Sequence, residues 1–221
     1  MKSLIATLGF DDKPITHATL IDRYDLLIAI ALKTSSEAWS RVEMAYHKAL
    51  GVVRDRIQRA RLVGVEIPAG VGRERLLSWL TRRVKEVVEP VVRDSSSVVL
   101  QLSGGPRMLI LAVYTAAMSL DDPEASKITV IVEGEGFAAE AWEPLINLKP
   151  VPLTSLHRAV LKILLEAGAP LGPTDVASRL GVSKSTAYKY LRQLMEHGLV
   201  EKVNEKGKYR ATGRALVNAA V

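Results

Sequence analysis

Short, nearly continuous apolar runs separated by longer stretches of helical period constrain this chain more than any other feature. The runs are Ser3–Gly9 (SLIATLG), Leu26–Leu32 (LLIAIAL), Arg61–Pro68 (RLVGVEIP), Val98–Leu102 (VVLQL) and Lys127–Val132 (KITVIV). A strand with one wet face alternates polar and apolar residues. These runs do not, which is the pattern of parallel strands covered on both faces by helices. Ile15–Asp22, Ser36–Val53, Arg73–Val88 and Arg107–Leu120 supply the helices, and Trp142–Leu148 reads as a short sixth strand at the sheet edge. The pattern predicts an α/β fold, a Rossmann-like, mostly parallel sheet. Right-handed crossovers then gather the strand-to-helix loops at one edge, where ligands of open α/β sheets bind.

The pattern changes at a Pro-rich stretch, Lys149-Pro150-Val151-Pro152. Residues 149–153 are expected to link a first domain, 1–148, to a second, 154–221. In the second, Leu156, Val160, Ile163 and Leu164 form one apolar helical face. Thr174 is placed to cap a helix Asp175–Leu180, Gly181-Val182 to turn, and Ser183 to cap a helix Lys184–His197. That last helix turns Ala187, Leu191, Leu194 and Met195 inward. Leu199–Val203 and Lys208–Ala211 flank Asn204-Glu205-Lys206-Gly207 as a hairpin with a basic tip.

Charge divides at the same place. The chain of 221 residues carries a net +6. Residues 1–150 hold 19 Lys+Arg and 19 Asp+Glu, net zero, whereas residues 151–221 hold 11 and 5, net +6. Concentrated positive charge is what neutralising a phosphate backbone requires. Other classes are excluded by residue type. With no cysteine there is no disulfide framework, thiolate metal site or Cys nucleophile. His17, His47, His157 and His197 show no ligand spacing, so no metal site is expected. No segment approaches the ~20 apolar residues of a membrane span, and the N-terminal apolar stretch is too short for a signal peptide. The expectation is a cytoplasmic protein with no membrane partner.

One loop stands apart. Ser103-Gly104-Gly105-Pro106-Arg107 follows a buried strand and opens an apolar helix. Its glycines permit a tight turn, and the free amides of the helix N-terminus beside Arg107 suit an anion such as phosphate. A plain glycine turn fits the same residues equally well. Gly70-Val71-Gly72 and Gly134-Glu135-Gly136 read as turns: Glu133 and Glu135 would repel a pyrophosphate, and no P-loop motif occurs. Thr34, Ser35 and Ser36 form a hydroxyl cluster at the ligand edge, with capping of the following helix as the competing role.

The string from Asp175 to Leu194, followed by Gly198-Leu199-Val200, resembles the winged helix-turn-helix of MarR- and ArsR-like transcription regulators. That resemblance implies a recognition helix in the major groove of double-stranded DNA. Lys184, Ser185, Thr186, Tyr188 and Lys189 would contact bases or phosphate, and Arg192, Lys206, Lys208 and Arg210 would position the backbone. Leu8-Gly9-Phe10, together with Leu102-Ser103-Gly104-Gly105-Pro106-Arg107-Met108, resembles the CARF (CRISPR-associated Rossmann fold) domain. The order of the two domains is similar to that of CRISPR-associated transcriptional regulators of archaeal type I-A systems. Ser103 and Pro106 stand where that family usually has threonines. The resemblance implies a homodimer that regulates CRISPR genes from a pseudo-palindromic promoter. It also implies a two-fold cleft for a cyclic oligoadenylate effector, cyclic tetra-adenylate foremost. Gly9, Phe10, Ser103, Gly104, Gly105, Pro106, Arg107 and Met108 would line that cleft, and no further cofactor is implied. Two other classes stay open: a metabolite-responsive repressor, and a CARF protein that slowly cleaves its ring with help from Ser35, Ser36 and Ser103.

Overall fold

The computed structural model describes residues 1–133, 140–203 and 207–219. Lys206, Glu135 and the rest of the Gly134–Ala139 stretch lie outside the described residues. The chain divides into two compact units, Met1–Leu145 and Ile146–Val221.

The first unit is a Rossmann-like sheet of β1 (Lys2–Thr7), β2 (Tyr24–Lys33), β3 (Ile57–Glu66), β4 (Ser97–Gln101), β5 (Ile128–Glu133) and β6 (Glu140–Pro144). Their order is β3-β2-β1-β4-β5-β6, every pairing parallel except β5 with β6. Helices α1 (Lys13–Ile21) and α2 (Ser36–Val53) connect the strands on one side of β1. Helices α3 (Leu76–Asp94) and α4 (Arg107–Met118) pack on each other and serve the far half of the sheet. The short α5 (Asp122–Ala125) precedes β5. With right-handed crossovers, the reversal of strand order between β1 and β4 opens a crevice at their C-terminal ends.

Alternation along the strands explains the core. Leu4, Ala6 and Leu8 of β1 and its exit, with Leu27, Ala29 and Ala31 of β2, face Ile15 and Ala18 of α1 and Val42, Tyr46 and Ala49 of α2. At about 25 cal/mol per Å² of apolar area, this burial is the main drive to fold. Helix α2 begins where the sequence placed it because Ser35 accepts from the Ala38 amide, at 3.2 Å.

Several sequence expectations need correction. Strand β3 begins at Ile57, ahead of the apolar run, and Gln58, Arg59, Ala60 and Arg61 are exposed. It is an edge strand that ends at Glu66, and within the run Arg61–Pro68 only Val65 is buried while Leu62 and Val63 are half-buried, so the two-sided burial inferred from that run fails. Helix α3 runs through Pro90 rather than stopping at Val88, because Val88 and Val92 are both buried one turn apart and outweigh one lost hydrogen bond. The sixth strand is Glu140–Pro144, antiparallel, and the residues after it form the helical turn α6 (Leu145–Leu148).

The second unit contains α7 (Ser155–Ala167), α8 (Pro173–Leu180), α9 (Lys184–Glu196), the two-stranded hairpin β7 (Val200–Lys202) and β8 (Tyr209–Ala211), and α10 (Gly213–Ala219). This is a helix-turn-helix with a hairpin after the second helix of the motif. Residues 149–153 are tied into it: the Val151 amide donates to Asn218 Oδ1 at 2.6 Å, and Asn218 Nδ2 donates to the Lys149 carbonyl at 3.2 Å. Thr174 does not cap α8. Pro173 starts that helix, and Asp175 reaches back to accept from the Gly172 amide at 2.9 Å. Gly181, at φ +67°, makes the turn into α9, and Ser183 caps it by accepting from the Thr186 amide at 3.1 Å. Val160, Leu164, Ala187, Leu191 and Leu194 are buried as expected, together with Leu161. Leu156 and Met195, expected inside, are 38% and 40% exposed because each lies on the flank of its helix's apolar stripe.

Candidate functional site

The loops leaving β1 and β4 meet at the crevice between them, and their glycines are there because nothing larger fits. A Cβ on Gly104 would lie 2.3 Å from the Thr7 carbonyl oxygen, and one on Gly9 would lie 2.9 Å from the Gly105 Cα. Gly105 takes φ +83°, a left-handed conformation that favours glycine, and a Cβ there would meet the Leu8 carbonyl oxygen at 2.8 Å. The plain turn role and the site role are therefore one: close contact of the two loops shapes the crevice.

The contact borders a cavity of about 450 Å³. Gly9, Phe10, Thr34, Ser103, Gly104, Gly105 and Pro106 line it, with Leu8, Asp11, Pro14, Leu32, Ala38 and Val42. Sequence reasoning placed the first seven at a ligand site and missed the others, whose contribution is mostly apolar wall. Ser35, Ser36, Arg107 and Met108 are not among the lining residues. The Ser35 hydroxyl is committed to capping α2. Arg107 is exposed at the first position of α4, in no ion pair among the described residues, and Met108 is half-buried behind it. Pro106 caps α4 without a side-chain acceptor, so the first amides of that helix are open to an anion.

Beneath the loop sits a residue that sequence reasoning passed over. Gln101, fully buried at the end of β4, uses its whole hydrogen-bonding capacity. Its Nε2 donates to the Pro14 carbonyl at 3.3 Å and to Glu133 Oε1 at 2.5 Å. Its Oε1 accepts from the Ser103 amide at 3.2 Å and from the Ser103 hydroxyl at 2.8 Å. The same hydroxyl accepts from the Glu133 amide at 2.8 Å. Thus β4, β5, α1 and the glycine loop are pinned at one point, and Glu133 is turned toward Gln101 and His17, whose Nδ1 is 3.3 Å away. A lone amide at the end of the run SVVLQ was the available signal, since a buried polar group must find partners.

In the loop after β1, Asp12 is buried and accepts from Lys48 Nζ at 2.7 Å. That bond holds its carboxyl below the usual carboxylate range, against the opposing effect of burial.

On the helix-turn-helix, Lys184, Ser185, Tyr188, Lys189 and Arg192 of α9 are exposed and Thr186 is half-buried. The hydroxyls of Ser185 and Thr186 both turn back to Ser183 Oγ, at 2.8 Å each. Arg192 pairs with Glu196 at 3.1 Å and Arg210 with Glu201 at 2.5 Å. Among the described cations expected to meet DNA, Lys184, Lys189 and Lys208 are the ones in no ion pair.

Residues 2–143 match the model of the Csa3 CRISPR-associated Rossmann-like domain. The chain belongs to that family. In this Csa3-type chain, residues 158–204 match the IclR helix-turn-helix domain. The glycerol operon regulatory proteins of Streptomyces coelicolor and Streptomyces griseus are each 42% identical over 66 residues, 29% of this chain and 26% of theirs. The chain thus spans about a quarter of the length of those curated relatives. Among solved structures, Enterococcus italicus Csm6 bound to cyclic hexa-2′-fluoro-hexa-dAMP is similar over 89% of this chain and 55% of its own, with a TM-score of 0.50 and 9% identity. Can2 from Sulfobacillus thermosulfidooxidans in complex with cyclic tetra-adenylate matches over 100% of this chain and 64% of its own, with a TM-score of 0.44 and 11% identity. The likeness to Csm6 is one of fold.

Proposed function

We propose that this chain is a DNA-binding regulator of CRISPR-Cas genes, controlled by a cyclic oligoadenylate held at the crevice between β1 and β4. The observation that carries the proposal is the pairing, in one Csa3-type chain, of that glycine-shaped crevice with a helix-turn-helix unit whose Lys184, Lys189 and Lys208 are in no ion pair among the described residues. In this reading Gly9, Phe10, Thr34 and Ser103–Pro106 surround the ligand. Arg107 and the first amides of α4 take a phosphate. Two copies would join as a homodimer across a two-fold axis, matching a cyclic ligand of even symmetry and a pseudo-palindromic promoter. The archaeal type I-A setting and the MarR/ArsR-like use of the wing belong to the same proposal, and neighbouring CRISPR genes would support it.

We infer regulation rather than hydrolysis from the serines. Ser35, which caps α2, and Ser36 are not among the residues lining the cavity, and Ser103 is engaged with Gln101 and Glu133, so none of the three hydroxyls is poised to activate a ribose there. Calorimetry with cyclic tetra-adenylate tests the ligand half: saturable binding is expected, and none at all overturns it. Linear products after incubation with the protein would overturn the inference of regulation alone.

A further inference from the structure

We propose that Phe10 and Arg41 form a stacking platform for a nucleobase, making the α2 side of the crevice its base-recognising end. The proposal rests on the ligand reading above and assigns a part of the effector that the glycine loop does not account for.

Phe10 is a large apolar side chain, 56% exposed, at the tip of the loop after β1. Exposure alone is ordinary for a surface side chain; what sets Phe10 apart is its place between two cavities and beneath Arg41. The Arg41 guanidinium lies over the ring, 4.0 Å from its centroid, and the side chain still keeps more than half its surface exposed. Arg41 is in no ion pair among the described residues, so its guanidinium cation and the Phe10 ring together offer a surface matched to another planar π system.

Phe10 also divides space in a telling way. It lines both the 450 Å³ cavity of the glycine loop and a second, more open one of about 720 Å³ along α2, which Arg41, Met44 and Lys48 help to form. The two are contiguous at this one ring. At the loop end, helix amides and Arg107 favour an anion. Along α2, Asp12 is paired with Lys48 and Glu43 accepts from Trp39 Nε1 at 2.8 Å, which leaves Arg41 beside the Phe10 ring as a cation in no ion pair among the described residues. The ring and the guanidinium beside it suit a planar base. A nucleotide laid across the two cavities would put its phosphate on the loop and its base on Phe10.

Calorimetry on the full chain tests this with cyclic tetra-adenylate, and with adenosine monophosphate against ribose 5-phosphate. Phe10→Ala is expected to weaken cyclic tetra-adenylate by roughly five- to hundredfold, the span of base–aromatic stacking, with Phe10→Trp close to wild type. Wild type should bind adenosine monophosphate more tightly than ribose 5-phosphate, and Phe10→Ala should abolish that preference. Cyclic ligand that binds equally well to wild type and Phe10→Ala overturns the platform. Absence of cyclic-ligand binding by wild type, with the adenosine preference and its dependence on Phe10 retained, overturns the ring reading and leaves the platform standing. No preference for the adenine-bearing monophosphate overturns the platform itself. Because Phe10 is exposed, an unchanged unfolding midpoint in both variants is expected to separate these outcomes from misfolding.

Discussion

Gly9 and Gly105, 96 positions apart in sequence, lie against each other so closely that a methyl group on the first would sit 2.9 Å from the Cα of the second. That contact joins the exits of β1 and β4 at the point where strand order reverses, and it decides the shape of the crevice.

Gly104→Ala would drive a Cβ to 2.3 Å from a backbone oxygen that has no room to yield. The expected cost is about 1–3 kcal/mol of stability, as for other overpacked sites, with weakened effector binding alongside. Urea unfolding measures it, and an unchanged midpoint would show that the loops can part without cost.

Gln101→Leu fills similar space but leaves the Ser103 hydroxyl and Glu133 without their shared partner. Both groups are half-buried and Glu133 still faces His17, so a loss at the low end, about 1 kcal/mol, is expected although a larger apolar surface has been buried. A variant as stable as wild type would mean that water replaces the amide.

Arg107→Ala should behave in the opposite way. The side chain is exposed, so stability should hold, while effector affinity falls by ~1.5–3 kcal/mol, the worth of a charge-assisted hydrogen bond. Unchanged affinity by calorimetry would remove Arg107 from the phosphate site.

Acid should weaken the first unit through Asp12. Its carboxyl is held below the ordinary 3.8, chiefly by the hydrogen bond from Lys48. A lowered folded-state pKa contributes stability that is complete above the ordinary value and is lost as pH falls through the lower one. Lys48→Met removes the cause. The stability gap between wild type and variant is therefore expected at neutral pH and should close in strong acid. A gap independent of pH would contradict the pairing.

On the helix-turn-helix, ion pairing separates cations that composition treats alike. Lys189→Ala should reduce the salt slope of DNA binding by about one phosphate contact, whereas Arg192→Ala should do less, because Arg192 is already paired with Glu196. Equal slopes for the two variants would put Arg192 on the DNA as well.

Much of this was legible in residue order. Apolar runs located every strand of the parallel sheet, and the cap at Ser35 and the loop Ser103–Arg107 stood where local chemistry put them. What escaped were consequences of long-range packing. Nothing local marks β3 as an edge, since Leu62 and Val63 look the same whether or not a helix covers the strand. Pro90 signals a helix end, yet buried Val88 and Val92 carry the helix past it. Gln101 was read as one more residue of a buried strand because its partners, Pro14 and Glu133, are 87 and 32 positions away. The charge split marked the DNA-facing third but hid the pairing of Arg192 and Arg210, which only geometry reveals.

The most direct test of the central claim is the affinity of the full chain for a CRISPR promoter duplex, measured by fluorescence anisotropy without and with saturating cyclic tetra-adenylate. A regulator governed by its effector must bind the two forms of the site differently, and coupling of about 1–3 kcal/mol, several-fold or more in affinity, is the expected result in one direction or the other. Superimposable DNA-binding curves, with the effector demonstrably bound, would contradict it.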